Sequence, residues 1–195
     1  MLLNRAFKTR INFVLTVFCC FSANNLIAQN FMHGYGATIS VLSAPGITLS
    51  QTNLCYFPRY NFIENENSSV SVGMPIGAGI GISNNSYGDD AGIAFAFDLP
   101  AVIDYNIGCK STPDNDHNFG GYFGAGFGYY KVFISQSSYS DFTGATYGPM
   151  ARAGVRFSSS NEGWNGLGIT IGMFYKKGLE KLKFNTVGFN ILIDM

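Results

Sequence analysis

Between Val70 and Ile82 every even position is apolar, while every odd one is Ser, Gly or Pro, four of them glycine. A period of two sends these two sets to opposite faces of one extended strand. The apolar face must meet an oily phase. The other face carries too little side-chain volume to fill an ordinary sandwich core. An apolar exterior around a small or polar interior inverts the arrangement of a water-soluble protein, and strands that cross a bilayer as part of a closed sheet are written this way.

Segments of the same character recur along the chain, divided by polar clusters that supply turns. Eight strands are predicted: residues 33–42, 52–63 and 70–82, a long fourth ending near Gly108, then 120–134, 146–157, 167–175 and a last strand carrying Val187, Phe189, Ile191 and Ile193. A bilayer core needs tilted strands of about 9–11 residues. An even number of them closes an up-and-down sheet with both ends on one side and no unpaired edge in lipid. The fold class predicted is therefore all-β, an eight-stranded antiparallel up-and-down transmembrane β-barrel. A secreted sandwich also alternates, but its outward face is watered by Lys, Glu and Thr, and here that face would be largely bare glycine. Pro58, Pro75, Pro100 and Pro149 lie inside predicted strands, where each removes a ladder donor, so bulges are expected there.

The N-terminus reads as an export signal. Arg5, Lys8 and Arg10 precede an apolar stretch from Ile11 to Phe21 that is too short to span a bilayer, and cleavage is expected after Ala28. The domains are then a signal over residues 1–28 and one barrel domain over 29–195. Lipidation at Cys19 or Cys20 is disfavoured, because Phe18 and Cys19 stand where a small residue is needed. Removing the signal takes three of the twelve basic residues and none of the twelve acidic ones, which leaves a net charge of −3. No long basic run remains to bind nucleic acid.

With the signal, the eight strands and the stretches Phe97-Asp98-Leu99-Pro100, Asp104-Tyr105-Asn106 and Gly120 to Tyr130, the chain resembles the small eight-stranded outer-membrane β-barrels of the OmpA/OmpX-like group, in particular those of Bacteroidota. The resemblance implies residence in the outer membrane of a Gram-negative cell envelope. It also implies contact with outer-membrane lipid and assembly by the barrel-insertion machinery, with Gly188, Ile191 and Ile193 keeping the spacing of the terminal assembly signal.

By parity, the odd-numbered strands turn mostly Gly, Ser or Thr inward. The even-numbered ones turn in Phe57, Arg59, Asp98, Asp104, Met150, Arg152, Arg156 and Leu192. An eight-stranded barrel is just wide enough for side chains to fill it, so small beside large predicts a plugged bore. Charges there need partners, since an unpaired one costs about 3–5 kcal/mol. A lumenal ion-pair network of Arg59, Arg152 and Arg156 with Asp98 and Asp104 is expected, as a structural plug and not a gate or ligand site.

Lys131 falls on the lipid face, near enough to the interface to snorkel. His33 and His117 both map to the periplasmic side, so no Ser-His-Asp set can be assembled at the outer rim, and no enzyme is predicted. No Cys or His pairing at ligand spacing suggests a metal, no cofactor site is evident, and Cys55 and Cys109 lie too far apart to bridge. The function expected is structural or interactive. Outer loops at residues 43–50, 84–90, 135–145 and 176–183 would offer Tyr87, Tyr139 and Phe142 to an envelope or surface protein. The alternative is a narrow channel or a subunit of an export machine.

Overall fold

The computed structural model describes residues 30–85, 91–135, 142–158, 167–180 and 184–195. These residues form nine strands: β1 (Phe31–Ala44), β2 (Ile47–Asn65), β3 (Ser68–Gly73), β4 (Ile76–Asn85), β5 (Ala91–Gly108), β6 (Phe119–Ser135), β7 (Phe142–Ser158), β8 (Gly168–Lys176) and β9 (Asn185–Asp194). Every pairing is antiparallel. β1 pairs with β2 on one side and β9 on the other, so the sheet closes on itself. β3 and β4 both lie between β2 and β5, and together they make one stave of an eight-stave ring. Closure removes every edge, which is what a strand bounded by lipid requires.

The break in that stave falls at Met74 and Pro75, inside the segment whose alternation is clearest in the sequence. Met74 still donates its N–H to the Pro58 carbonyl (3.0 Å), so the wall holds across the gap. The expected bulges at the prolines are not what forms. Pro58, Pro100 and Pro149 stay within continuous strands, and the irregularity in the β2–β3 ladder lies between Asn61 and Ile63.

Side chains alternate around the ring as the period of two demands. Ile80, Phe127, Ile171, Phe189 and Ile191 are among the large apolar residues exposed on the outside, while Phe57, Leu192 and the three arginines predicted for the bore are buried. Aromatic pairs stud the outer surface, including Phe119 with Phe157, Tyr105 with Phe123, and Phe127 with Tyr147. Lys131 is on this outer face and rests its ammonium over Phe133, 4.9 Å from the ring centre. His33 lies there too, among Phe31, Tyr35 and Tyr56, with Nδ1 2.7 Å from the Tyr56 hydroxyl.

Both ends of the described chain meet at one mouth, where His33 and Met195 exchange backbone hydrogen bonds; this is the terminal mouth, and the opposite one is the far mouth. All four predicted far-mouth loops are corrected at their ends, since Asn84 and Asn85 belong to β4, Ser135 to β6, Phe142 to Ala145 to β7 and Lys176 to β8, and the first is corrected throughout. Residues 43–50 are not a loop but two paired strands joined by a tight turn at Pro45-Gly46, with Gly46 at φ 82°. Thr48 and Ser50 broke the apolar pattern without breaking the ladder, because polar outward residues are tolerated toward the end of a stave.

Candidate functional site

Among the described residues, charged side chains converge in the bore. Arg59, Asp98, Asp104, Arg152 and Arg156 all point into it and are buried. Room for them comes from the glycines of neighbouring staves. A Cβ on Gly154 would stand 2.7 Å from the Tyr122 ring, one on Gly172 would strike the Tyr122 hydroxyl, and one on Gly124 would strike the Asp104 carboxylate. Glycines of β7 and β8 thus leave the space that Tyr122 of β6 occupies, and a glycine of β6 leaves the space of Asp104 on β5.

The structure divides the expected network in two. Toward the terminal mouth, Arg152 Nε lies 3.7 Å from Asp104 Oδ1, and its guanidinium is sandwiched between the rings of Phe57 (4.4 Å) and Tyr122 (4.6 Å). Arg156 stacks on Tyr122 (4.7 Å) and pairs with Asp194, its Nε 3.6 Å from Oδ2. Thr170 donates its hydroxyl proton to the same Asp194 oxygen. Arg59 is held by neutral groups: Nη2 donates to the Lys110 carbonyl (2.7 Å) and Nη1 to Asn106 Oδ1 (3.5 Å), which also accepts from Arg156 (2.9 Å). Asn106 donates in turn to Ser71 (2.9 Å) and Ser69 (3.2 Å).

Asp98 is not part of this group. Its carboxylate pairs with Lys176 across the bore at 2.5 Å, under the rings of Tyr130 and Phe174. Lys176, expected as the first residue of an outer loop, is instead the last residue of β8 and faces inward. Between the two groups lies a cavity of about 20 Å³ lined by Arg152, Asp98, Cys55, Asn53 and Asn190, among others. Arg152 Nη1 and Nη2, Asp98 Oδ1 and both asparagine Oδ1 atoms have no hydrogen-bond partner among the described residues. That volume has room for one water, and a water both donates and accepts, which is what this mixture of orphan groups needs.

Toward the far mouth the bore becomes apolar. Leu42, Leu49, Ala94, Ala96, Tyr130, Val132, Ile134 and Phe184 form one buried cluster. Beneath it Tyr130 donates to Gln51 (2.5 Å), which donates to Ser40 (2.9 Å). Sequence reasoning missed this layer, and also Asp194, Lys176 and Asn106. The signal for the apolar layer was Tyr130, Val132 and Ile134 at spacing two on β6.

Of the residues expected to make outer contacts, Tyr87 and Tyr139 lie outside the described residues. Phe142 begins β7, and its side chain also lies outside them. Cys55 and Cys109 are free and buried. His117 lies in the β5–β6 connection, with Nε2 2.7 Å from Asn67 Oδ1. Among the described residues no three His, Cys, Asp or Glu side chains gather to hold a metal ion.

The sequence matches no protein-family model and no curated protein. Among solved structures the chain is similar to Neisserial surface protein A, with TM-score 0.56 at 12% identity over 85% of this chain and 96% of that one. It is also similar to Ail, the attachment invasion locus protein of Yersinia pestis, with TM-score 0.51 at 16% identity over 85% of this chain and 97% of that one. A structure of Ail with the heparin analogue sucrose octasulfate gives TM-score 0.52 at 15% identity, over 85% of this chain and 97% of that one. At such identities the likeness is one of fold. The fold is that of the small eight-stranded outer-membrane β-barrels.

Proposed function

We propose that this protein is an integral outer-membrane β-barrel of structural or interaction type, exported by a cleaved signal, whose filled bore neither conducts nor catalyses. Its far-mouth connections face the cell exterior and meet an envelope or surface partner there. The observation that carries the reading is the stacking of the bore: an apolar layer at the far mouth, a Lys176–Asp98 pair beneath it, and the arginine group at the other end. Water-filled pores of this architecture need more staves, since eight leave room only for side chains.

The test is single-channel recording in planar bilayers. The purified barrel is expected to give no steady opening, and Arg152→Gln, which leaves the apolar layer intact, is expected to give none either. Regular conductance steps in the unaltered protein would overturn the reading in favour of a narrow channel. Steps appearing only in Arg152→Gln would make the arginine group a gate.

A further inference from the structure

The β5–β6 connection does not leave the barrel at once: its first residues, 109–112, are buried while 113–118 are largely exposed. The buried part folds back into the terminal mouth. Gly108 at φ 68° and Lys110 at φ 54° start the reversal, and the left-handed conformation at Lys110 is unfavourable for a residue with a Cβ. Cys109, Lys110, Ser111 and Thr112 are all buried as a result, and the Lys110 stem lies against Gly168, where an added Cβ would come within 2.9 Å.

Four wall side chains hold two successive carbonyls of this turn. Arg59 Nη2 (2.7 Å) and Arg156 Nη1 (3.3 Å) donate to the Lys110 carbonyl, while Asn61 Nδ2 (2.9 Å) and Ser69 Oγ (2.5 Å) donate to the Ser111 carbonyl. All four groups donate, and two are cationic. The Nε atoms of Arg59 and Arg156 are buried with no hydrogen-bond partner among the described residues. Three buried arginines face two buried carboxylates here, Asp104 and Asp194. Asn61 also donates to Glu64 Oε1 at the rim (2.7 Å), so the cup already accepts one carboxylate oxygen. Neutral carbonyl dipoles occupy a place where an anionic oxygen would make stronger, charge-assisted bonds.

We propose that Arg59, Arg156, Asn61 and Ser69 form an oxyanion-binding cup at the terminal mouth, which the chain fills with its own β5–β6 turn. An oxyanion arriving from that side displaces the turn and takes over its bonds. The inference does not depend on whether the bore conducts, because the apolar layer lies at the other mouth.

Two native thiols report on it. Cys109 is fully buried in the turn, and burial pushes its thiol above the ordinary range, so it is unreactive while the turn is seated. Cys55 lies further from that mouth, buried and facing the bore among Phe57, Met150 and Phe174. The folded protein in detergent is treated with a neutral maleimide, and labelling at each cysteine is followed by peptide mass spectrometry. A ligand that binds only the open state raises the open population. Inorganic phosphate is therefore expected to speed Cys109 labelling about tenfold over sodium chloride at equal ionic strength, with Cys55 unlabelled.

Asn61→Ala with Ser69→Ala is expected to raise the rate about tenfold without phosphate, since two bonds to the turn are lost. Arg59→Gln is expected to abolish the phosphate effect. An unchanged Cys109 rate in phosphate overturns the cup. Equal rates at Cys109 and Cys55 overturn the displaceable turn, because they report unfolding of the whole barrel. The phosphate arm uses the unaltered protein, so it decides the matter even if a variant fails to fold.

Discussion

Replacing Asp104 by alanine is expected to cost about 3–5 kcal/mol of barrel stability, because it strands a buried guanidinium. Asp104 is fully buried and supplies the carboxylate nearest Arg152. Without it, three inward arginines of the terminal-mouth group face Asp194 as the remaining carboxylate of that group. The aromatic sandwich of Phe57 and Tyr122 stabilises the cation but does not neutralise it. Reversible urea unfolding in lipid vesicles measures the loss. Adding Arg152→Met to Asp104→Ala is expected to recover most of it, since replacing both members of a buried pair by apolar groups is often close to neutral. A loss below about 1 kcal/mol for the single change would mean that the two rings suffice.

The second large effect belongs to the outer face. Phe189 sits midway along β9 with its ring exposed. Phe189→Arg places a cation in hydrocarbon and is expected to cost about 2–4 kcal/mol, while Ile193→Arg, near the end of the same stave, is expected to cost about 0–1 kcal/mol. The gradient is the informative quantity. In a water-soluble protein with the same strands, both outward arginines would be solvated and neither would matter. The same vesicle-based unfolding reads both variants.

The parts of the fold legible in the sequence are those governed by the two-residue period. The faces of Val70 to Ile82, and the inward placement of Arg59, Asp104, Arg152 and Arg156, follow from alternation alone, because a one-residue slip would put every charge in lipid. Strand ends were not legible. Residues 43–50 lose the apolar pattern while keeping the backbone ladder, so a tight turn at Pro45-Gly46 was read as a loop. Lys176 follows Tyr175 at the apparent end of its stave, and one further alternation carries it inward to Asp98.

Partner choice inside the bore was out of reach for a different reason. Parity says which side chains enter, but strand tilt and register decide which ones meet. Asp194 therefore reached Arg156 unpredicted, and Asp98 went to a lysine. The inward fold of the β5–β6 turn depends on left-handed conformations at Gly108 and Lys110, and only the glycine advertises that in sequence.

The central claim is that apolar side chains face lipid while the bore holds charge. It is tested most directly by fluorescence quenching in vesicles of lipids brominated along the acyl chain. In a background where the single tryptophan, Trp164, is replaced by phenylalanine, one new tryptophan is placed at Phe127 on the outside or at Phe57 in the bore. Strong quenching of Phe127→Trp with little quenching of Phe57→Trp is the predicted result. Quenching of Phe57→Trp with Phe127→Trp shielded from the bromines would contradict it.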